Sequence, residues 1–153
     1  MKSKEITLPR SLPTSLCRIL NMQEHGCPEG AVYVGRKNTI PHFGNPFTHK
    51  KTEIKGQSMM SVHTQAEAVQ CFEMWLLGTG FNNLAQTRRR WILTNIHTLY
   101  EKDLVCWCPT GPCHAEVLAR YAQFAYAWRE AKRKEINNAI QRDRRSTSVK
   151  KSV

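Results

Sequence analysis

Apolar and polar positions along the chain fall into stretches of distinct period. Two short runs, AVYVGR at 31–36 and DLVCWC at 103–108, are rich in β-branched and aromatic residues and predict buried strands. Three longer stretches repeat at helical spacing. Val69, Phe72, Trp75 and Leu76 mark a helix over 64–77; Trp91, Ile92, Asn95 and Ile96 mark one over 84–98. Val117, Leu118, Tyr121, Phe124 and Trp128 mark a third, starting at 113 and ending near 140. Thr64-Gln65-Ala66-Glu67 is a capping box for the first, which Gly78 and Gly80 end. Asn82 or Asn83 is expected to cap the second. Residues 1–30 are punctuated by Pro9, Pro13, Pro28 and Gly30, with one short helix expected around 15–22. Residues 48–62 are polar and basic without a period, which reads as a mobile loop.

Two helices between the two strands leave room for a right-handed crossover, so the strands are expected to run parallel in one sheet. The fold class is therefore α/β: a small, mostly parallel, Rossmann-like sheet flanked by helices, with a basic C-terminal helix extension. A sheet needs about three strands to stand alone, and the third is expected from 1–8, 50–56 or another subunit. The organisation that follows is a peripheral segment 1–30, one α/β domain 31–128, and a helical or frayed tail 129–153.

Composition adds charge to this picture. Lys and Arg number 23 against 12 acidic residues, a net charge of +11. In 129–153 nine basic residues, Arg129, Lys132, Arg133, Lys134, Arg142, Arg144, Arg145, Lys150 and Lys151, face Glu130, Glu135 and Asp143, which places +6 of that charge in the tail. Such a tail suits contact with nucleic acid or serves as a solvated helix face. Arg88-Arg89-Arg90 reads as a solvated basic turn. No apolar run approaches the roughly 20 residues of a membrane-spanning helix, so no membrane partner is expected. The opening residues carry no signal-peptide core, from which a cytoplasmic setting is expected and six cysteines read as free thiols, metal ligands or reactive groups.

The candidate chemistry lies in Cys106-Trp107-Cys108-Pro109-Thr110-Gly111-Pro112-Cys113-His114. A strand, a loop broken by Pro-Gly-Pro, and a helix put Cys113 and His114 at a helix N-terminus, where free N–H groups favour anions. Cys106 and Cys108 share one strand face and Trp107 the other. Cys106, Cys108, Cys113 and His114 are ligand types that zinc accepts. Adjacent Cys113 and His114 would have to aim at one ion, so no metal or other cofactor is expected; Cys113 is expected to turn into an anion pocket and Cys106 into the core. His25 and Cys27 form half of a zinc-type set with no matching pair nearby. Arg36 ends a strand where ligand crevices open in α/β sheets, and Asn45 in the Gly44-Asn45-Pro46 turn offers an amide to a ligand or to its own loop. Cys113 and His114, with Glu116 as the nearest carboxylate, are the catalytic candidates, although neighbours on a helix face about 100° apart.

VYVGR at 32–36, FGNPF at 43–47 and LVCWCPTGPCHAEVL at 104–118 together resemble the small domains, common in phages and bacteria, catalogued as domain of unknown function 4326. The resemblance covers roughly 31–121 and departs at His42-Phe43, where a small polar residue and Trp are the family's pattern. It implies an α/β fold and no established reaction, and for a phage-encoded copy the host cytoplasm.

Two functions follow. One is a pocket for a nucleotide or nucleoside-phosphate derivative formed by Arg36, Asn45, Cys113 and His114, with or without turnover. The other is a basic protein that binds nucleic acid or a partner through its tail, its Cys/His block structural or zinc-binding. Oligomeric state is left open.

Overall fold

Leu104, Val105 and Cys106 form the middle strand of a three-stranded parallel sheet in the computed structural model, which describes residues 17–51 and 53–150. In chain order the elements are β1 (Ile19–Asn21), α1 (Met22–His25), β2 (Val32–Tyr33), β3 (Phe47–Thr48) and β4 (Met60–Ser61). There follow α2 (Gln65–Leu77), α3 (Gln86–Asn95), a 3₁₀ turn (Ile96–Leu99), β5 (Leu104–Cys106) and α4 (His114–Lys150). The sheet order is β1-β5-β2, with Leu104 opposite both Ile19 and Val32. All three residues of β5 are buried, as a strand paired on both edges and covered on both faces demands.

The predicted parallel pair is present, shorter than its apolar run: Val34 continues it with one backbone bond, N–H to the Val105 carbonyl at 2.8 Å. Of the proposed sources for a third strand, 1–8 lies outside the described residues and the described residues of 50–56 form no strand. The strand is β1, from residues expected in a helix. Pairing decides it: Arg18 donates from its backbone and side chain to Asp103, and its carbonyl accepts from Leu104 N–H at 2.8 Å. Nor is 48–62 simply a loop, because β3 and β4 form a second small parallel ladder.

Helix α2 begins as its capping box predicts. Thr64 Oγ1 accepts from Glu67 N–H at 3.1 Å, while Glu67 reaches back one residue further, to His63 N–H at 2.8 Å. Gly78 ends it in the left-handed region at φ 77°. Neither Asn82 nor Asn83 caps α3; the N-cap is Ala85, at φ 39° with no side-chain cap. The turn is held from the side instead, by Trp75 Nε1 and Gln86 Nε2 donating to the Leu84 carbonyl. Arg88 is buried rather than solvated, at 8% exposure, with Nε and one terminal nitrogen lacking partners among the described residues.

Between sheet and helices lies a core of Val34, Phe47, Phe72, Trp75, Leu76, Ile92, Leu99, Leu104, Val117 and Leu118. Helix α4 packs on the 3₁₀ turn and on α2, where Glu73 accepts from Arg120 and Tyr121 at 2.8 and 2.7 Å. A stacked pair, Tyr100 and Tyr126 at 4.0 Å, anchors it further along. Trp128, the last of the helically spaced apolar residues, is half exposed, and the described residues of the basic extension from 133 to 147 face solvent. No described helix is long and apolar enough to cross a membrane.

His42 shows how the 41–47 loop is built. Its Nδ1 accepts from Gly44 N–H at 2.9 Å, and its Nε2 lies 2.7 Å from Gln57 Oε1. An N–H facing Nδ1 requires a lone pair there, so the ring is neutral with its proton on Nε2. A Cβ on Gly44 would lie 2.7 Å from Arg36 Cα and 2.8 Å from His42 Nδ1, which excludes other residues from this turn. Burial, with Arg88 and Lys37 nearby, depresses the His42 pKa. A depressed histidine contributes stability that is complete above its unfolded value, about 6.5, and is lost as pH falls below it. We expect the unfolding free energy to fall by up to about 1.4 kcal/mol per pH unit on this account. His42→Asn, which keeps an acceptor for Gly44, should remove that component in urea titrations between about pH 7.5 and 5.5. An identical slope in the variant would contradict it.

Candidate functional site

Strand β5 ends at Cys106, and the chain crosses seven residues of loop before α4 starts at His114. Two side chains clasp that loop from outside. Asn21 Nδ2, at the end of β1, donates to the Cys108 carbonyl at 2.7 Å, and Gln65 Nε2, at the start of α2, donates to the Pro112 carbonyl at 2.6 Å. Neither contact is visible in sequence, because each pairs an ordinary amide with a residue more than 40 positions away.

Held this way, the loop brings Cys106, Cys108 and Cys113 together, their sulfurs all within 4.8 Å of one another. Cys106 and Cys113 Sγ are 2.9 Å apart, and Cys108 Sγ lies 3.8 Å from His114 Nδ1. Cys106 turns into the core as expected, but the expectation that Cys113 would turn into an anion pocket is corrected: it too is buried in the core, facing Cys106. Three close cysteines of this kind can hold a metal ion. Hydrogen bonds from Cys108 and Cys113 hold the Cys106 thiol far below its ordinary range, and donating those bonds pushes Cys108 and Cys113 up. His114 is buried, with Nε2 2.9 Å from the Val34 carbonyl and Phe72 edge-on to its ring. Burial lowers its pKa.

Beside this junction opens a cavity of about 360 Å³, lined among others by Tyr33, Arg36, Lys50, Trp107, Cys108 and His114. Of the four expected ligand-binding residues, Arg36, Asn45 and His114 reach it and Cys113 does not line it. Asn45 is spent on structure: Nδ2 donates to the Ala68 carbonyl at 3.0 Å and Oδ1 accepts from Phe47 N–H at 2.8 Å. Arg36 donates from Nε to the Asn45 carbonyl and from a terminal nitrogen to the Phe47 carbonyl, both at 2.7 Å. Carbonyls orient a guanidinium without neutralising it, and Arg36 has no ion-pair partner among the described residues. Burial draws its pKa down only from a guanidinium's high value, and it stays charged.

The N-terminal amides of α4 are less free than the helix start suggests, since Ala115 N–H points at Cys113 Sγ (3.5 Å) and Glu116 N–H at the Cys113 carbonyl (3.1 Å). Glu116 itself is exposed and does not line the cavity. His25 and Cys27 are exposed and join no metal-competent group among the described residues. Tyr33, Lys50 and Trp107 are cavity residues that sequence reasoning missed. Trp107 alone had a signal, because alternation along the strand put it opposite the cysteines.

Fold and junction together define a small parallel α/β domain with three clustered cysteines, and His114 beside one of them, at the end of its middle strand. The chain belongs to the family described as Domain of unknown function (DUF4326), which it matches over residues 19–124. The match begins at β1, earlier than the motifs alone indicated. No curated protein and no solved structure matches the chain.

Proposed function

We propose that this domain binds a phosphorylated ligand of nucleotide type in the cavity beside the cysteine junction. One observation carries the reading: among the described residues Arg36 stands in the cavity wall with no carboxylate partner, and those lining it include Lys50 and His49 but no Asp or Glu. A half-buried, unneutralised cation favours an anion there. Tyr33 and Trp107 supply aromatic faces on which a base can stack, Trp107 with 61% of its surface free. The proposal stops at binding, because Cys113 is turned aside and Glu116 lies elsewhere.

The test is a titration of the full chain with nucleoside mono-, di- and triphosphates and with inorganic phosphate, read by tryptophan fluorescence and thermal shift. Trp107→Ala should weaken nucleotide binding by about 1–3 kcal/mol, the value of one stacked base, while leaving inorganic phosphate unaffected. No saturable response to any phosphorylated ligand would end the proposal. The rival, nucleic acid held by the exposed basic residues of α4, expects oligonucleotides to bind with steep salt dependence and indifference to Trp107→Ala.

A further inference from the structure

The three clustered cysteines, with His114 beside Cys108, have more in common with a metal centre than proximity. The 2.9 Å between Cys106 and Cys113 Sγ is far longer than a disulfide, about 2.05 Å. In a tetrahedron with Zn–S bonds of about 2.3 Å, ligand atoms sit about 3.7 Å apart. The Cys108 Sγ to His114 Nδ1 separation, 3.8 Å, already has that length. Moving Cys106 and Cys113 Sγ apart by about 0.4 Å each gives the same edge.

The imidazole is prepared from behind. A carbonyl can only accept, so Nε2 facing Val34 O at 2.9 Å carries the ring proton and Nδ1 keeps a lone pair. That lone pair is on the Cys108 side. Metal-bound histidines characteristically donate their other N–H to such an oxygen, which fixes tautomer and ring orientation. The sulfurs have outer partners too. Cys108 N–H points at Cys106 Sγ (3.4 Å) and Ala115 N–H at Cys113 Sγ (3.5 Å), contacts that favour thiolate over thiol. Among the described residues no carboxylate belongs to the cluster, so hard, oxygen-seeking cations are poorly served.

We propose that Cys106, Cys108, Cys113 and His114 bind one zinc ion in a closed Cys₃His tetrahedron that pins the end of β5 to the first turn of α4. On binding, the thiols release their remaining protons to solvent as the metal–sulfur bonds form. Occupied by four protein ligands, the ion is structural, and it fixes the loop whose Trp107, Pro109 and Pro112 wall the neighbouring cavity.

The full chain, purified reduced and without chelator, should carry about one zinc per molecule by elemental analysis. Cobalt substitution should give a thiolate-to-metal charge-transfer band and the intense visible bands of a tetrahedral site. His114→Ala should keep the charge-transfer band, shift the visible bands, and weaken the metal by more than the roughly 10–100-fold that outer-shell partners are worth. Because serine at the buried cysteines can unfold the domain, a mercurial titration of the wild-type chain supplies a second readout: zinc should leave as three thiols react. Zinc well below stoichiometric together with no charge-transfer band on adding cobalt would overturn the proposal. So would stoichiometric zinc that folded Cys108→Ser and His114→Ala variants retain unchanged. None of these readouts involves an anion, so the centre and the nucleotide-type cavity stand or fall separately.

Discussion

Truncating Phe72 to alanine is expected to cost about 3–5 kcal/mol, enough to consume much of the 5–15 kcal/mol that holds a typical domain folded. Phe72 is fully buried in the middle of α2, its ring 5.8 Å from Trp75 and edge-on to His114 at 5.3 Å. Alanine removes the transfer free energy of a ring and leaves a void between a helix, the sheet and the imidazole, which rigid neighbours fill only in part. The loss extends to the candidate site, since the ring orients one side of His114 while Val34 O holds the other. Urea unfolding at neutral pH measures it. A change below about 1 kcal/mol, the size of a surface effect, would mean that α2 does not pack as described.

Arg36→Met should be the most damaging single change to ligand affinity. The variant keeps most of the side chain's volume and removes its charge. A hydrogen bond to an ionised group contributes about 1.5–3 kcal/mol, so binding of phosphorylated ligands should weaken roughly 10- to 150-fold. Stability falls as well, because the Asn45 and Phe47 carbonyls lose their donor. Arg36→Lys separates the two effects: it restores the charge but not the fork that reaches both carbonyls, so affinity should recover further than stability. Isothermal titration beside urea melts of both variants gives the comparison, and a folded Arg36→Met chain with undiminished affinity would remove Arg36 from the site.

The features legible in sequence are those that local rules decide. Thr64 and Glu67 cap α2 through bonds spanning three or four residues, and Gly78 ends it by its own conformational freedom. The paired strands were legible because their apolar runs are dense and two helices lie between them. Ile19–Asn21 escaped for the opposite reason, being three residues whose conformation is set by a partner far along the chain. Arg88 reads as a surface cation, and only the fold buries it. At the junction, spacing placed Cys106 and Cys108 on one side, but the approach of Cys113 depends on clasps from Asn21 and Gln65. The proton position on His114 depends on Val34, 80 residues upstream.

The middle position of β5 governs how the protein is made. Its partners lie far behind it: Leu104 pairs with Val32 and with Ile19, separations of 72 and 85 residues. Among the described residues neither early strand has a sheet neighbour until β5 exists, since β1 and β2 touch it and not each other. A chain emerging from the ribosome therefore carries two unpaired strands, with Phe47, Phe72 and Trp75 deprived of the β5 and α4 side chains that complete their core. Two long closures must then be met nearly at once, the kind of topology that folds slowly. A nascent chain stalled before Leu104 has helices to form and no three-stranded sheet to form them on, which makes synthesis of the residues from Leu104 onward the step that commits the molecule to its structure.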